Sequence, residues 1–580
     1  MKTGSFFRKR FFLLGFLVAL ASCGRQDATL TKVILEEGDY HVANHVLTLP
    51  KGSDFTFALT LQEDKVIADA SYKNFTLNED ISGGKRYSTV TFHHVEYSLV
   101  ITLTIADAVK ITYSGNGVSK EEYAVKTHER INVANDVSDF AKDGYCITGW
   151  QKGDKAIGLG SRMSVEGDLS LRAIYQKESD VSLFDYEILD DSRAAIKRYL
   201  GDEDHVVIPK KIEGRNVVTI SEGAFSKLSL EEVVLPPTLA KIGKGGFASC
   251  QIGHLVFFDN LSEVDDASFA GSTISKVRIN AMGNPAYIRS YYGTYAEKFD
   301  RLLLLSDKRK IILYSGSSTR FGFDSEAIDR TFLDYEVVNM GVFAYTPSYP
   351  QVEVLSHFVK PGDLIIVSPE FDAIEEQVHL TPVFDDALFA MTETNYDILG
   401  LLDLSRYSHF FSAFGEYQYN RRFLNRYRYS DTSYSYDEDG NRVAAPSYNR
   451  YGDYVVYRPN NEKRTTFGVK RAFYNKKYFP LEYLEDFNGC FAKLKEKGAR
   501  LYFDDAPRMD ISLSEDSTPS SIEELSSYWE EHVDMAFLSQ VGDGLMDPLY
   551  FYGTDNHLSS EGVAIRTKKV ISALLDQMEI

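Results

Sequence analysis

Cysteine and tryptophan are scarce in this chain, which has four cysteines and two tryptophans among 580 residues. The cysteines, at positions 23, 146, 250 and 490, are too few and too scattered for a disulfide scaffold, so we expect stability to come from hydrophobic cores. Basic residues are also in deficit, because 63 Lys and Arg against 84 Asp and Glu give a net charge of −21. This surplus of negative charge repels phosphate backbones and argues against nucleic acid as the main partner.

Extremes of composition are absent as well. Charged residues make up 25% and hydrophobic residues 44% of the chain, which excludes both a largely disordered protein and a polytopic membrane protein. At roughly 150 residues per domain, the length predicts about four domains rather than one compact core.

The N-terminus has the form of an export signal. In residues 1–22, four basic residues precede an apolar run from Phe11 to Leu20 and then small residues. The run is too short to span a membrane stably. The segment Leu20-Ala21-Ser22-Cys23 resembles the bacterial lipobox, which implies diacylglyceryl modification of Cys23 after cleavage. An ordinary secretory signal or an uncleaved anchor helix would give a similar pattern, but we expect an extracytoplasmic lipoprotein anchored to the bacterial cell membrane.

Two small β units are predicted to follow this signal. Residues 28–107 alternate apolar and polar positions between Gly and Asp breaks, which predicts a small β domain. Residues 108–178, with the segment Gly144 to Trp150 near their centre, resemble the Listeria-Bacteroides repeat, which implies a β-grasp-like module. Trp150 could serve as a platform for a ligand, but we assign it to the core of this module.

The next unit repeats with a period of 22 residues. Phe225, Phe247 and Phe269 are spaced at this interval, and other apolar positions keep the same period, as expected when each repeat buries its face on the next. Residues 179–281 therefore predict a solenoid and resemble the leucine-rich repeats of bacterial surface proteins. A spacer or a docking face for a protein partner is the expected role.

Residues 282–580 show a different pattern. Buried strands are predicted at residues 310–314, 336–340, 364–367 and 500–503, and helices alternate with them, ending with residues 559–578. This alternation predicts a doubly wound α/β domain with a parallel sheet. Ligands bind such sheets at the carboxyl ends of the strands.

Residues with nucleophilic and basic character lie next to two of these elements. Ser317 lies in the small-residue turn after the first strand, where we expect an exposed hydroxyl near a helix N-terminus. A serine needs an adjacent base, and His557, with Asp555 to orient it, precedes the last helix. Alternatively, Ser317 is one of several hydroxyls in a polar turn and His557 is a solvated neighbour of a helix cap.

These residues resemble those of an SGNH/GDSL-type hydrolase. The resemblance implies a flavodoxin-like fold. The resemblance makes Ser317 the nucleophile, with Asp555 and His557 as its partners, and places Ser317 and Gly341 in the oxyanion hole. The third block of this superfamily usually supplies an asparagine donor, whereas this chain has Ser368-Pro369-Glu370. The Asp-x-His spacing at the C-terminus is similar to that of certain polysaccharide O-acetyltransferases.

Several neighbouring residues have less specific predictions. Glu370 and Arg320 are predicted to contact substrate, and for Glu370 an ion pair with a nearby arginine is an equal alternative. Asp504 and Asp505 are interpreted as the rim of the pocket, and Arg566 as an ion-pair partner.

An insertion at residues 406–458 has 11 tyrosines and eight arginines against six acidic residues. Tyrosine rings stack on sugars and arginine pairs with carboxylates or phosphates, so an anionic glycan is one expected ligand. Packing of the aromatic residues over the sheet edge is the alternative. Residues 437–448 lack the terminal Glu of a calcium loop, and no metal site and no cofactor are predicted.

The sequence thus predicts a surface-anchored lipoprotein with a serine esterase or O-acyltransferase domain. Its expected substrates are acyl esters of cell-envelope or extracellular carbohydrate. The alternative is a non-catalytic surface adhesin or scaffold whose degenerate SGNH domain binds glycan or protein.

Overall fold

The computed structural model describes most of the chain after residue 26. It covers residues 27–36, 47–50, 52–70, 75–95, 99–125, 127–283, 292–342, 346–372, 382–407, 409–421, 435–436, 442–443, 448–462 and 470–578, with the single positions 285, 380, 466 and 468.

The N-terminal third is built from strands. They are β1 (Asp27–Glu36), β2 (Leu47–Pro50), β3 (Ser53–Gln62), β4 (Lys65–Ala70), β5 (Phe75–Ser82), β6 (Lys85–Val95), β7 (Leu99–Gly115), β8 (Val118–Val125), β9 (Thr127–Asn132), β10 (Tyr145–Lys152), β11 (Lys155–Ile157), β12 (Arg162–Val165) and β13 (Leu169–Lys177). Strand β7 pairs with β1 and β4 through its first half and with β8 and β13 through its second half. The predicted boundary at residues 107 and 108 therefore falls within one continuous strand.

Trp150 is in the core of the second β unit, as predicted. Its side chain is fully buried and packs on Tyr113 and Phe140 with ring centroids 4.7 and 5.3 Å apart. The indole N–H donates to the carbonyl oxygen of Ala134 at 2.7 Å, which satisfies its only donor. No face of this ring is available to a ligand.

The repeats form two parallel ladders. Their strands, with the hairpins that precede them, are β14 (Phe184–Ile188), β15 (Arg193–Tyr199), β16 (His205–Val207), β17 (Lys211–Ile212), β18 (Arg215–Ile220), β19 (Ser229–Val234), β20 (Lys241–Ile242), β21 (Gln251–Phe258), β22 (Glu263–Val264) and β23 (Thr273–Asn280). One ladder has the order β16-β19-β21-β23 and the other contains β18-β20-β22. Phe225, Phe247 and Phe269 stack at 4.9 and 5.1 Å, so the 22-residue period corresponds to one turn of a solenoid.

The outer face of the repeats is partly covered by the second β unit. Val207, Val234, Val256 and Phe258 belong to the same buried cluster as Trp150. At these positions the ladder is therefore an interface within the chain, which limits the face open to a partner.

The C-terminal part alternates helices and strands. The elements are α1 (Thr294–Leu304), β24 (Lys310–Tyr314), α2 (Ser317–Arg320), α3 (Ser325–Thr331), β25 (Glu336–Asn339), α4 (Ser348–Ser356), β26 (Leu364–Val367), α5 (Asp386–Thr392), α6 (Phe410–Tyr419), β27 (Ser435–Tyr436), β28 (Arg442–Val443), α7 (Leu481–Glu496), β29 (Arg500–Phe503), β30 (Arg508–Met509), α8 (Pro519–His532), β31 (Ala536–Phe537), β32 (Leu545–Met546) and α9 (Ser560–Met578). The predicted strands and the last helix are present within a few residues of their predicted ends.

The central sheet of this part is parallel and has five strands in the order β25-β24-β26-β29-β31. This is the 2-1-3-4-5 order of flavodoxin-like doubly wound folds. Ile311 and Ile366 pack on α3 and α9 on one face, while Ile312 and Ile365 pack on α1, α4, α7 and α8 on the other. Both faces are covered, which explains why the strands are continuously apolar.

The insertion begins by closing the end of the solenoid. Phe411 of α6 stacks on Phe269 of the last repeat with ring centroids 3.9 Å apart, and a Cβ on Gly415 would lie 3.0 Å from Val264 Cγ2. This part of the insertion follows the packing alternative, because its aromatic residues extend a core rather than line an open surface.

The three described cysteines, Cys146, Cys250 and Cys490, are buried and unpaired, as their distribution over separate units predicts. Within the described ranges, no helix combines the length and the apolar character that crossing a membrane requires.

Candidate active site

The site lies where the order of the sheet reverses, at the carboxyl ends of β24 and β26. Ser317 begins α2, three residues after β24 ends, and Glu370 lies three residues after β26. These two strands are neighbours in the sheet, so the loops that follow them meet at the switch point, where doubly wound folds bind ligands. The predicted exposure of Ser317 is wrong, since its side chain is 5% exposed beneath the final loop of the chain.

Asn556 connects the final loop to both other loops. Its side-chain Nδ2 donates to Glu370 Oε2 at 2.7 Å and lies 3.4 Å from the hydroxyl oxygen of Ser317. The other carboxylate oxygen, Glu370 Oε1, accepts the backbone N–H of Ser318 at 2.8 Å. Glu370 is 1% exposed, so these donors replace the water that its carboxylate loses on burial. The substrate contact and the arginine ion pair of Glu370 stay predictions.

His557 lies next to Asn556, and its ring faces Phe321. The two ring centroids are 4.2 Å apart. Burial lowers the pKa of His557 to about 4, although the charge of Glu370, and to a lesser degree that of Asp555, opposes this shift. The imidazole is therefore neutral near pH 7 and has a free electron pair that can accept a proton. In the described part of the chain, its ring nitrogens form no hydrogen bond.

Asp555 has a different partner from the one that the sequence predicts. Its carboxylate forms a buried ion pair with Arg508, with Nη1 and Oδ2 3.1 Å apart, and its carbonyl oxygen accepts the N–H of Met509 at 2.8 Å. Arg508 is buried and keeps its full charge, so it competes strongly for this carboxylate. Asp555 therefore helps to fix the final loop. Glu370 is the carboxylate that raises the pKa of His557 more strongly.

Gly341 closes the side of the site next to α2. Its N–H donates to Asn339 Oδ1 at 2.8 Å, so this predicted oxyanion donor is engaged by a side chain. A Cβ at Gly341 would lie 2.3 Å from the backbone nitrogen of Arg320, so the close approach of these segments requires glycine. Lys298 holds the same segment through its Nζ, which donates to the carbonyl oxygen of Gly341 at 2.8 Å.

Arg320 is 1% exposed and does not extend into open space. Its Nε donates to Gly341 at 3.3 Å and its Nη2 to Thr294 Oγ1 at 3.2 Å. These contacts place it in the wall of the site, where it supports α2, and its contact with substrate stays a prediction.

The end of the insertion forms another wall of the site. Arg458 is buried and donates to the carbonyl oxygen of Phe321, whose ring faces His557, and to that of Leu558, which follows His557 in the chain. Tyr454 packs edge-on against Phe321 at 4.8 Å.

The sequence analysis did not predict Asn556, Arg458 and Arg508 as site residues. Only Asn556 had a signal in the sequence, namely its place between the two residues of the Asp-x-His motif.

A second buried ion pair, between Arg566 and Asp504, lies next to the residue that follows Ser317. Arg566 Nη2 contacts Asp504 Oδ2 at 2.6 Å, as its interpretation as an ion-pair partner predicts, and Nη1 donates to the carbonyl oxygen of Ser318 at 3.1 Å. Asp504 and Asp505 line a cavity of about 310 Å³. Burial, with a smaller effect from Asp504, raises the pKa of Asp505 to about 7.

Comparison with known proteins identifies the repeats. Residues 207–301 match the family model of the BspA type leucine rich repeat region, in six copies, which confirms the predicted leucine-rich repeats. Repeats of this kind are consistent with a surface or protein-binding scaffold role. No curated protein matches the chain. A solved leucine rich repeat protein of T. pallidum is similar at 19% identity over 18% of this chain and 86% of that chain, with a TM-score of 0.09.

The predicted lipidation site, Cys23, lies outside the described residues. Its modification stays a prediction, as does the membership of the C-terminal part in the SGNH superfamily.

Proposed function

We propose that the C-terminal domain catalyses acyl transfer from an ester through Ser317 and His557, and that the repeats and β units serve as its scaffold. The observation that carries the proposal is the 3.4 Å approach of Asn556 to the Ser317 hydroxyl. It brings the loop after the first strand of the sheet to the loop before the last helix, although 239 positions separate the two residues. His557 follows Asn556 directly in the chain.

The proposed reaction has two steps. The Ser317 hydroxyl oxygen attacks the ester carbonyl while neutral His557 accepts its proton, and collapse of the tetrahedral intermediate returns that proton to the leaving alkoxide. Water or a sugar hydroxyl then attacks the acyl-serine by the same route, which gives hydrolysis or transfer. Neither step requires a cofactor.

Glu370 is the residue that we expect to stabilise the imidazolium in this reaction. Its charge favours protonation of His557 more strongly than that of Asp555, which is paired with Arg508. Glu370 thus takes the electrostatic role that the Asp-x-His motif assigns to Asp555. Asp555 acts as a positioning residue for the final loop.

Asn556 also replaces a missing donor. The third block of SGNH proteins usually supplies an asparagine, and here Glu370 stands in that block. An amide has two N–H donors, and Asn556 uses one for Glu370 at 2.7 Å. The other donates to the Ser317 hydroxyl oxygen at 3.4 Å, and we expect it to turn to the oxyanion once that oxygen has bonded to the acyl carbon. The Ser317 backbone N–H, which has no acceptor within the described ranges, is a second donor for the same charge.

Paired substitutions of adjacent serines test the proposal. Ser317→Ala removes the nucleophile, whereas Ser318→Ala removes a buried hydroxyl that has no hydrogen-bond partner among the described residues and keeps the N–H bond to Glu370. We expect wild type and Ser318→Ala to hydrolyse p-nitrophenyl acetate and to react with a fluorophosphonate probe. Ser317→Ala should lose about 10³-fold or more in rate and should not be labelled. Equal hydrolysis rates and equal labelling of all three proteins would contradict the proposed enzymatic activity.

A surface scaffold is the second candidate, favoured by the leucine-rich repeats at residues 207–301. In that case the C-terminal domain binds glycan or protein without turnover. Glycan or protein binding that is the same in wild type and Ser317→Ala, together with absence of ester hydrolysis by wild type, would support this candidate.

The proposed cellular context follows from the N-terminal segment. Cleavage before Cys23 and lipidation of its side chain would hold the protein at the outer face of a bacterial membrane. Acyl esters of envelope or extracellular carbohydrate are the substrates within reach of a protein in that position.

A further inference from the structure

A second concavity, separate from the Ser317 site, lies where three parts of the chain meet. It has a volume of about 640 Å³. Its walls come from strands β9 to β12 of the second β unit, from β21 and β23 of the repeats, and from residues 396–401 of the α/β part. A cavity of this size accommodates a ligand of several hundred daltons.

The walls of this cavity are strongly basic. Six lining residues carry permanent positive charge at neutral pH: Arg130, Lys152, Lys155, Arg162, Lys276 and Arg278. Asp397 is the only acidic residue among the described lining residues. The whole chain has a net charge of −21, so the charge of these walls is opposite in sign to the net charge of the protein.

Nearby carboxylates neutralise only part of this charge. Asp300 is shared by Arg130 and Arg162, at 3.0 and 2.6 Å. Asp397 accepts the hydroxyl of Ser161 at 2.9 Å and forms no ion pair within the described ranges. Lys152, Lys155, Lys276 and Arg278 likewise have no carboxylate within ion-pair distance in the part of the chain that the structure describes.

Arg278 departs from the pattern of the repeats. In the parallel ladder, Val207 pairs with Val234, Val234 with Val256, and Val256 with Arg278. The three valines pack on the second β unit, so packing alone favours valine in the fourth position. The last repeat instead has a half-buried arginine. Burial lowers its pKa although the charges of Asp397 and Glu232 oppose the shift, and an anion bound in the cavity would offset the remaining cost.

We propose that this cavity binds a multiply charged, non-aromatic anion, namely a short segment of glycan that carries phosphate or carboxylate groups. Guanidinium groups bind both kinds of group in bidentate geometry, and the unpaired lysines add positive charge around Arg278. The aromatic ring in the lining, that of Tyr396, is 4% exposed and its hydroxyl accepts from Gln418 at 3.0 Å. It offers no open face on which a nucleotide base could stack.

Calorimetric titration of the full chain tests this proposal. The probes are an oligogalacturonate, which carries carboxylates, and an oligomeric glycerol phosphate, which carries phosphates, with a neutral maltooligosaccharide as the control ligand. We expect at least one anionic probe to bind, and the neutral probe not to bind. Comparison of the two anionic probes identifies the charged group, and binding should weaken as NaCl is raised from about 50 to 500 mM. Absence of binding by both anionic probes would overturn the proposal.

Arg278→Val is the decisive variant, because it restores the residue of the preceding repeats. We expect it to lower the affinity about tenfold or more and to unfold at a temperature no lower than wild type. Lys568→Gln removes one positive charge from the exposed surface of α9 and should bind as wild type does. Unchanged affinity in Arg278→Val, or its unfolding at a clearly lower temperature, would contradict a ligand-binding role. Ser317→Ala should bind each probe as wild type does, so failure of the enzyme proposal leaves this test intact.

Discussion

The side-chain amide of Asn556 donates to the carboxylate of Glu370 at 2.7 Å, and 186 positions separate the two residues. This hydrogen bond fastens the final loop to the loop after β26, beside the hydroxyl of Ser317. The amide supplies a donor and the carboxylate an acceptor, so each satisfies the other in a buried position.

Exchange of the two functional groups tests this complementarity. Glu370→Gln and Asn556→Asp should each reduce the stability of the domain by about 1–3 kcal/mol, because each leaves a mismatched buried pair. The double variant restores one donor and one acceptor, so its loss should be smaller than the sum of the single losses. Denaturant unfolding of the four proteins measures this coupling, and strictly additive losses would contradict it.

His557 gives the site a distinctive pH dependence. Since its pKa is lowered from 6.5 to about 4, the imidazole stays neutral and able to accept a proton down to that pH. We expect kcat/KM for ester hydrolysis to fall on the acid side near pH 4 to 5 rather than near pH 6.5. An acid limb at pH 6.5 would show that His557 is not held in this environment, or that another group acts as the base.

The same shift predicts how stability changes with pH. Between pH 6.5 and 4 the unfolded chain binds a proton at His557 and the folded chain does not, so this residue lowers the free energy of unfolding as the pH falls through this window. His557→Gln should remove this contribution. Stability measured from pH 7 to 4.5 should then decline less steeply in the variant than in wild type.

Apolar runs and regular spacing predicted the elements that show such a pattern within a short stretch of the chain. Residues 310–314 and 364–367 are short apolar runs bounded by polar residues, and the 22-residue spacing of Phe225, Phe247 and Phe269 records the turns of the solenoid directly. The predicted strand bounds agree closely with the structure for this reason. Strand β31 has only two residues, so it gives no periodicity to detect.

Tertiary contacts decided what the sequence could not predict. The boundary expected at residues 107 and 108 falls within β7, which continues through it and pairs with a different set of strands on either side. Asp555 pairs with Arg508, which is 47 positions away, and such pairings leave no trace in local spacing. The 22-residue spacing aligns Arg278 with Val256 and Val234, but only the fold shows that these valines pack on the second β unit.

The lipid anchor is a separate prediction that depends only on residues 20–23. Cys23→Ala should abolish incorporation of an alkyne-tagged fatty acid during growth and should release the protein from the membrane fraction. Ser22→Ala keeps a small residue before the cysteine and should be labelled as wild type is. Labelling of Cys23→Ala would place the modification elsewhere or exclude it.

The contact between Phe411 and Phe269 predicts that the solenoid and the α/β part unfold together. Phe411 is 7% exposed and extends the stack of repeat phenylalanines at a centroid distance of 3.9 Å. Phe411→Ala leaves a cavity at this junction and should cost about 3–5 kcal/mol, while Glu416→Ala on the exposed face of the same helix should cost little. Hydrogen exchange should then show faster opening in β22 and β23 of the Phe411 variant alone. If exchange in the repeats is unchanged, the stack does not couple the two parts.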